Sequence, residues 1–410
     1  MLAFYILAGL VVLQSALSLR GGVRYFRFFR RELSAPRSLY MPLASVFVPC
    51  RGLDQGLRWN LSALFRQHYP AYELVFVSDR ADDAGLEVAR EVAREFEGES
   101  VARPRYVVAG RATDSGQKVH NLRAAVAEAD ASSEVFVFVD TDARPRADWL
   151  RSLVAPLGDG ATGAATGYRW FLPLSGGFAS QLRSVWNASI ASALGGNVRG
   201  NFCWGGSTAV RRETFERLNV AGRWRGAVSD DYALTSALRA ERLPIRFVPA
   251  CLTASLEDST LGEMLEFTTR QLKITRVYAP RLWAFVLVSN LLFVAAFFGG
   301  LALAAARAAL GLSFVWPLAL VSVIFLLGMW KSFFRLRAVA LALEEHHARL
   351  AAGVWPHLLL WPLTAAVFLY NALAAGLSRR IVWRGIAYEL KSPTETEIIP
   401  NAECGVRNAD

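Results

Sequence analysis

The chain has 410 residues, 53% of them hydrophobic, and a formal net charge of +10 at pH 7. That apolar share excludes an ordinary soluble enzyme. The basic excess argues for a membrane surface over nucleic acid, because it clusters beside apolar segments at 24–31, 331–337 and 379–384, where lysine and arginine meet anionic headgroups. The four cysteines, Cys50, Cys203, Cys251 and Cys404, have no metal-binding spacing and read as free thiols.

Residues 2–19, LAFYILAGLVVLQSALSL, are uncharged and long enough to span a bilayer as a helix. A cleaved signal peptide carries basic residues before its apolar core. Here none precede it, and six arginines follow between Arg20 and Arg37. That order predicts an uncleaved anchor at 1–20, a basic linker at 21–43 and a cytosolic domain beyond it.

From residue 44 strand and helix signals alternate. ASVFVPCRG (44–52) is a β-branched run stopped by Pro and Gly, and 54–67 carries Leu57, Leu61, Leu64 and Phe65 on one helical face. YELVFVSD (72–79) reads as a strand and AGLEVAREVAREF (84–96) as an amphipathic helix. RYVVAG, KVHNLRAAVAEA and EVFVFVD repeat the alternation up to Asp140. Four such units predict a mostly parallel α/β sheet flanked by helices, here spanning 44–280.

Ligands of such sheets bind beyond the carboxyl ends of the strands. Asp79, Asp140 and Asp142 all stand there, and an Asp-x-Asp offers oxygen ligands to a hard divalent ion that also holds a diphosphate. Asp148 reads instead as a helix N-cap. NFCWGGSTAVRR (201–212) is a glycine-rich loop before a strand. Gly205 and Gly206 permit close backbone approach to a donor or acceptor, and Trp204 is either a sugar platform or core packing. Asp230 and Asp231 open the helical stretch YALTSALRA, as a general base and its neighbour or as a helix cap.

Three further apolar blocks lie at about 282–305, 313–330 and 354–376, giving a C-terminal membrane region at 281–378. Residues 179–196 and 338–353 are too polar to span and read as interfacial. Four full spans would leave Arg379–Arg384 outside, against the positive-inside rule. The pairs Trp355-Pro356 and Trp361-Pro362 make the last block the one expected to break. Residues 379–410 read as a basic segment followed by a polar, disordered tail from Pro393.

The order VFVPCRG, YPAYELVFVSDRADD, GQKVHNLRAAV, FVDTDARPRADWL, GGSTAVRRETF, AVSDDYAL resembles glycosyltransferase family 2. The membrane layout, ending in VWRGIAYEL, resembles the ceramide glucosyltransferase group and its bacterial relatives. The resemblance implies a GT-A fold, a UDP-sugar donor, a Mn2+ or Mg2+ ion, and a multi-pass membrane enzyme whose acceptor is a ceramide-like or other membrane lipid. It places Asp79, Lys118, Asn121, Asp140 and Asp230 at the nucleotide-sugar, Asp140 and Asp142 at the metal, and Asp231 as catalytic base. Arg270 falls near the QxxRW-like motif, and Arg270 and Arg276 are candidates for the leaving diphosphate or for juxtamembrane anchoring. The chemistry of a departing diphosphate asks for a cation, which Arg270 or Lys273 offers. Gln271 stands where processive polysaccharide synthases carry tryptophan, which weakens that alternative reading. A non-catalytic sugar-nucleotide scaffold is disfavoured because every acidic position is filled.

Overall fold

A computed structural model describes residues 1–400 of the chain. The chain divides into two compact units. One joins 32–170, 193–256 and the segment from 379; the other joins 1–31, 171–192 and 257–378.

The first unit is built on a seven-stranded sheet. Its strands are β1 (Ala44–Pro49), β2 (Tyr72–Ser78), β3 (Ala102–Val108), β4 (Val135–Phe138), β5 (Ala164–Leu172), β6 (Thr208–Arg211) and β7 (Ile245–Leu256). They lie in the order β3-β2-β1-β4-β6-β5-β7. β1 pairs in parallel with both β2 and β4, β2 in parallel with β3, and β6 runs antiparallel to β4 and β5. β2 and β4 are buried along their whole length, which is why they read as unbroken apolar runs rather than alternating ones. β3 is the edge strand, largely exposed and able to carry Pro104. Helices Leu57–Phe65, Ala84–Glu95 and Gln117–Ala127 fall between the first four strands as expected.

Strand order turns between β1 and β4, since β2 and β3 run off on one side of β1 and β4 lies on the other. This is the position where the loops after parallel strands splay apart and leave a crevice. An aromatic core fixes the strands beneath it. Phe138 meets Phe215 at 6.0 Å and Trp224 at 5.5 Å between ring centroids, and all three rings are buried.

The segment after Arg379 corrects the expectation of a disordered tail from Pro393. β8 (Arg380–Trp383), β9 (Ile386–Ser392) and β10 (Glu395–Ile399) form a second, antiparallel sheet. Thr396 is buried and its hydroxyl donates to the Gly226 carbonyl at 2.7 Å. β8 and β9 are joined by Arg384 and Gly385, both at positive φ (50° and 76°), the backbone of a two-residue hairpin turn. The part of the expected tail beyond residue 400 lies outside the described residues.

The second unit is helical. Leu2–Ser34, Pro280–Ala309 and Val315–Ala342 are each long and apolar enough to cross a membrane. The fourth apolar block breaks as its prolines predict: Val354–Leu359 ends at Leu360, and Trp361–Leu377 is a separate 17-residue helix. The helix Phe178–Ala191 corrects the interfacial reading of 179–196. Most of its residues are buried, and Trp186 stacks on Phe368 with centroids 4.8 Å apart.

Candidate active site

Three carboxylates and one ammonium meet at the carboxyl ends of β1 and β4. Lys118, in the first turn of Gln117–Ala127, places Nζ 2.7 Å from Asp140 Oδ1 and 3.2 Å from Asp230 Oδ1. The strand-end acid and the Ser-Asp-Asp segment, 90 residues apart in sequence, are thereby joined in one site. Asp230 is 4% exposed. Burial raises its carboxyl to about 6, with Asp231 and Asp140 adding to the effect and Lys118 opposing it. Burial acts the same way on Asp140, but Lys118 and Arg169 outweigh it and hold that carboxyl below its ordinary value.

Gly205 is required by this junction. A Cβ there would collide with Asp230 Oδ2 and stand 2.7 Å from Lys118 Nζ. The close approach expected of the glycine-rich loop is therefore to the Lys118–Asp230 pair, and at Gly206 to the ring of Trp204. Trp204 itself is 6% exposed, packed on Tyr168 at 5.4 Å and capped by the Arg169 guanidinium 5.0 Å from its ring centre. Of its two readings the structure shows packing. The ring supports Arg169, whose Nη1 donates to Asp142 Oδ2 at 2.6 Å.

Asp142 Oδ1, by contrast, is buried with no hydrogen-bond partner. Burial raises the Asp142 carboxyl, and Asp140 and Asp54 raise it further against Arg169. An orphaned carboxylate oxygen among like charges is an environment that a cation would relieve. Among the described residues no three acidic, imidazole or thiol side chains gather into a cage. One or two carboxylates completed by substrate phosphate oxygens are enough for Mg2+, so Asp140 and Asp142 fit a divalent ion of that kind.

Asp231 is less buried than its neighbour and sits in the first turn of Asp230–Ala240. Ser229 is the N-cap, accepting from Tyr232 N at 3.2 Å, and its hydroxyl donates to Asp231 Oδ1. Trp224, locked in the aromatic core, donates Nε1 to the Asp230 carbonyl at 3.1 Å. The packing that holds the sheet together thus also fixes the start of this helix.

Beside these groups lies a cavity of about 570 Å³, lined by Arg51, Asp79, Arg80, Arg111, Gln117 and Arg384 among others. Asp79 lines this cavity, with Arg51 Nη1 2.9 Å from its Oδ2. Asn121 does not line the cavity: it is 2% exposed and accepts from Gln117 Nε2 at 2.8 Å, so Gln117 occupies the place expected for it. Lys118 likewise is held between carboxylates and is not part of the cavity wall. Arg270 belongs to the helical unit, on the helix Leu261–Tyr278, 3.7 Å from Glu266 and over the Phe267 ring at 5.7 Å.

Sequence reading missed four side chains here. Arg51 and Asp54 lie in the loop after β1, Arg169 on β5, and Arg384 in the hairpin turn. Asp54 accepts from Thr141 Oγ1 at 2.6 Å and from Arg384 Nη2 at 2.5 Å. Tyr388 Oη accepts from Gln117 N at 3.2 Å and docks the hairpin on that helix start. The signal for Arg384 was an Arg-Gly pair between two strand-like runs, a hairpin pattern weaker than Asn-Gly.

The chain matches the family described as Glycosyl transferase family 21 over residues 4–396. Comparison with curated proteins returns no match. Among solved structures it is similar to a mannosyltransferase from Pyrobaculum calidifontis in complex with GDP-Man and Mn2+, at 18% identity and a TM-score of 0.45, covering 90% of this chain and 98% of that one. It is also similar to glucosyl-3-phosphoglycerate synthase from Mycobacterium tuberculosis with Mn2+, UDP-glucose and phosphoglyceric acid, at 16% identity and a TM-score of 0.36, covering 57% and 79%. The motif order resembled family 2 and the match names family 21; both denote glycosyl transfer.

Proposed function

The chain belongs to glycosyl transferase family 21, and we propose that it transfers a single sugar, glucose, from a UDP-sugar to the hydroxyl of a ceramide-like membrane lipid with inversion. The observation that carries this reading is the Lys118 bridge, which sets Asp140, Asp230 and the adjoining Asp231 at one end of the sheet. The cavity beside it supports the donor assignment. Four arginines against Asp79 and Asp83 make its charged lining net positive, as a nucleoside diphosphate requires, and its volume falls in the range of small-molecule sites.

In the proposed reaction the acceptor hydroxyl attacks the anomeric carbon and gives its proton to Asp231. The bond from that carbon to the diphosphate oxygen breaks, and the electron pair leaves with the phosphate. A direct displacement of this kind inverts the anomeric centre. Negative charge grows on the departing diphosphate, so fixed cations there lower the barrier. The sequence offered Arg270 and Lys273 for this; within the sheet unit Arg51 and Arg384 line the cavity and supply it. A divalent ion on Asp140 and Asp142 would neutralise the same charge. Lys118 keeps Asp140 ionised for that purpose.

The lipid acceptor and the membrane placement rest on the helical unit. Three spanning-length helices are more than a soluble acceptor calls for. The hairpin at 380–399 bonds to the sheet unit through Arg384–Asp54 and Thr396–Gly226, so the chain crosses the bilayer an even number of times between Leu256 and Arg380. Pro280–Ala309 and Val315–Ala342 provide two crossings, and Trp361–Leu377 then does not cross. Two crossings would leave Arg379–Arg384 on the same side as the sheet unit, and the positive-inside rule supports the cytosol as that side.

Purified enzyme supplied with radiolabelled UDP-glucose, UDP-galactose or GDP-mannose, together with ceramide or a membrane lipid extract, tests the reading by thin-layer chromatography. A single-sugar glycolipid from UDP-glucose is expected. Label in a polymer, or in no lipid at all, overturns it.

A further inference from the structure

The helical unit holds a buried arginine and a half-buried lysine that the sugar-transfer chemistry does not use. Arg335, on Val315–Ala342, is 2% exposed, and among the described residues it makes one long hydrogen bond, from Nη2 to Ser332 Oγ at 3.4 Å. Its Nε has no partner. Tyr25, on Leu2–Ser34, is 4% exposed, and its hydroxyl is also unpartnered. Both Tyr25 and Lys331 lie within electrostatic reach of Arg335. Lys331 packs its stem against Gly22, where an added Cβ would stand 3.2 Å from Lys331 Cγ. No acidic side chain among the described residues acts on Lys331 or Arg335.

An uncompensated buried guanidinium is costly, because several kcal/mol of lost hydration must be replaced by an opposite charge or by hydrogen bonds. Among the described residues no acidic side chain supplies the replacement. The geometry points to a phosphate: Arg335 Nε–H and the Tyr25 hydroxyl are two free donors, and the Lys331 ammonium adds charge. Depth identifies its source. Arg335 stands 20 residues beyond Val315, about 30 Å along a helix, which is the thickness of the hydrocarbon core. The exposed Arg20, Arg24, Arg27 and Arg30 flank Tyr25 on its own helix, as at a headgroup boundary. We propose that Tyr25, Lys331 and Arg335 form a binding site for the phosphate of an anionic membrane lipid, separate from the sugar-transfer site.

The test uses the full-length protein, purified in mild detergent and stripped of lipid, with its thermal midpoint followed against phosphatidylglycerol, phosphatidylcholine and sodium phosphate. A ligand bound only by the folded state raises the midpoint in a concentration-dependent way. Phosphatidylglycerol is expected to do so, and phosphatidylcholine to do so much less. Arg335→Met should weaken the apparent lipid affinity by about tenfold or more, since hydrogen bonds to charged groups are of that worth. Tyr25→Phe should weaken it by a smaller factor, and Arg103→Ala, exposed on the edge strand β3 of the sheet unit, should leave it unchanged. If Arg335→Met keeps the full response, or if the two lipids act alike, the site is overturned. A phosphate response equal to that of phosphatidylglycerol overturns the lipid source and leaves a free-anion site. Should Arg335→Met not fold, Arg335→Lys with Tyr25→Phe carries the same comparison.

Discussion

Arg384 Nη2 stands 2.5 Å from Asp54 Oδ1, although 330 positions separate the two residues. Two further bonds reinforce the junction: Arg51 Nε donates to the Arg384 carbonyl at 3.1 Å, and Arg384 Nη1 to the Arg51 carbonyl at 3.4 Å. The hairpin at 380–399 thus closes one wall of the cavity that begins after β1. An arginine held by one carboxylate at the rim of a net-positive cavity can exchange that partner for a phosphate, which its planar fork suits at least as well.

This exchange predicts the behaviour of Arg384→Ala. Affinity for UDP, measured by calorimetry, should fall by roughly ten- to a hundredfold, because charge-assisted bonds to the diphosphate are lost. Affinity for uridine should change little, because that ligand has no phosphate. Arg380→Ala, exposed on the same hairpin and paired with Glu389, is the control for the fold of the hairpin. Equal losses for UDP and uridine would show that Arg384 only shapes the wall.

Asp231 and Asp230 separate by their partners. Asp230 is spent on Lys118, whereas Asp231, among the described residues, hydrogen-bonds within its own helix start, to Ser229 and to Tyr232 N at 2.8 Å. Asp231→Asn should therefore lower turnover by roughly 10²-fold or more while UDP-sugar affinity is kept, the usual scale of general-base catalysis. Asp230→Asn should cost less turnover, since Lys118 retains Asp140. Normal turnover by Asp231→Asn, or failure through lost donor binding alone, removes Asp231 as the base.

Much of this site was legible because its residues lie in local patterns. Asp79 and Asp140 end strands whose apolar runs are unmistakable, and Asp231 opens a helix behind a serine cap. Arg169 and Arg384 were not legible, since each acts through a partner fixed by the tertiary fold: Asp142 for one, Asp54 for the other. The tail failed for a related reason. β9 and β10 are short and carry Lys391, Glu395 and Glu397, so composition reads as coil, but Thr396 and Tyr388 dock them on the larger sheet unit. Asn121, which the resemblance put in the nucleotide segment, lies one turn from Gln117, which lines the cavity, and the two are hydrogen-bonded.

The orphaned Asp142 Oδ1 leads to a metal prediction. Asp140→Ala and Asp142→Ala should each abolish metal-dependent turnover, and Mn2+ binding in the presence of UDP, followed by electron paramagnetic resonance, should weaken in both. The expected ordering puts Asp140 first, because Lys118 keeps it ionised, while Asp142 shares its carboxylate with Arg169. Turnover that survives EDTA intact would end the metal assignment.

The hairpin contacts carry the last prediction, on membrane topology. Because Arg384 and Thr396 bond to groups of the sheet unit, residues 380–399 must lie on the same side of the bilayer as Asp54 and Gly226. Between them stand two helices of spanning length and one of 17 residues that begins at a proline-bearing break. On the proposed topology the two longer helices cross and return the hairpin to its sheet, and Trp361–Leu377 is expected to turn back without spanning. Cys50, Cys203 and Cys251 are buried, which leaves surface labelling to introduced cysteines once Cys404 is replaced. In sealed inverted vesicles, a membrane-impermeant maleimide should label Arg80→Cys and Lys391→Cys alike. It should reach Leu312→Cys, in the turn between the two spanning helices, only after the membrane is permeabilised. Opposite accessibility at positions 80 and 391 would contradict the even crossing number, and with it the docked hairpin. Labelling of position 312 in the sealed vesicles would instead show that Pro280–Ala309 and Val315–Ala342 do not cross as a pair.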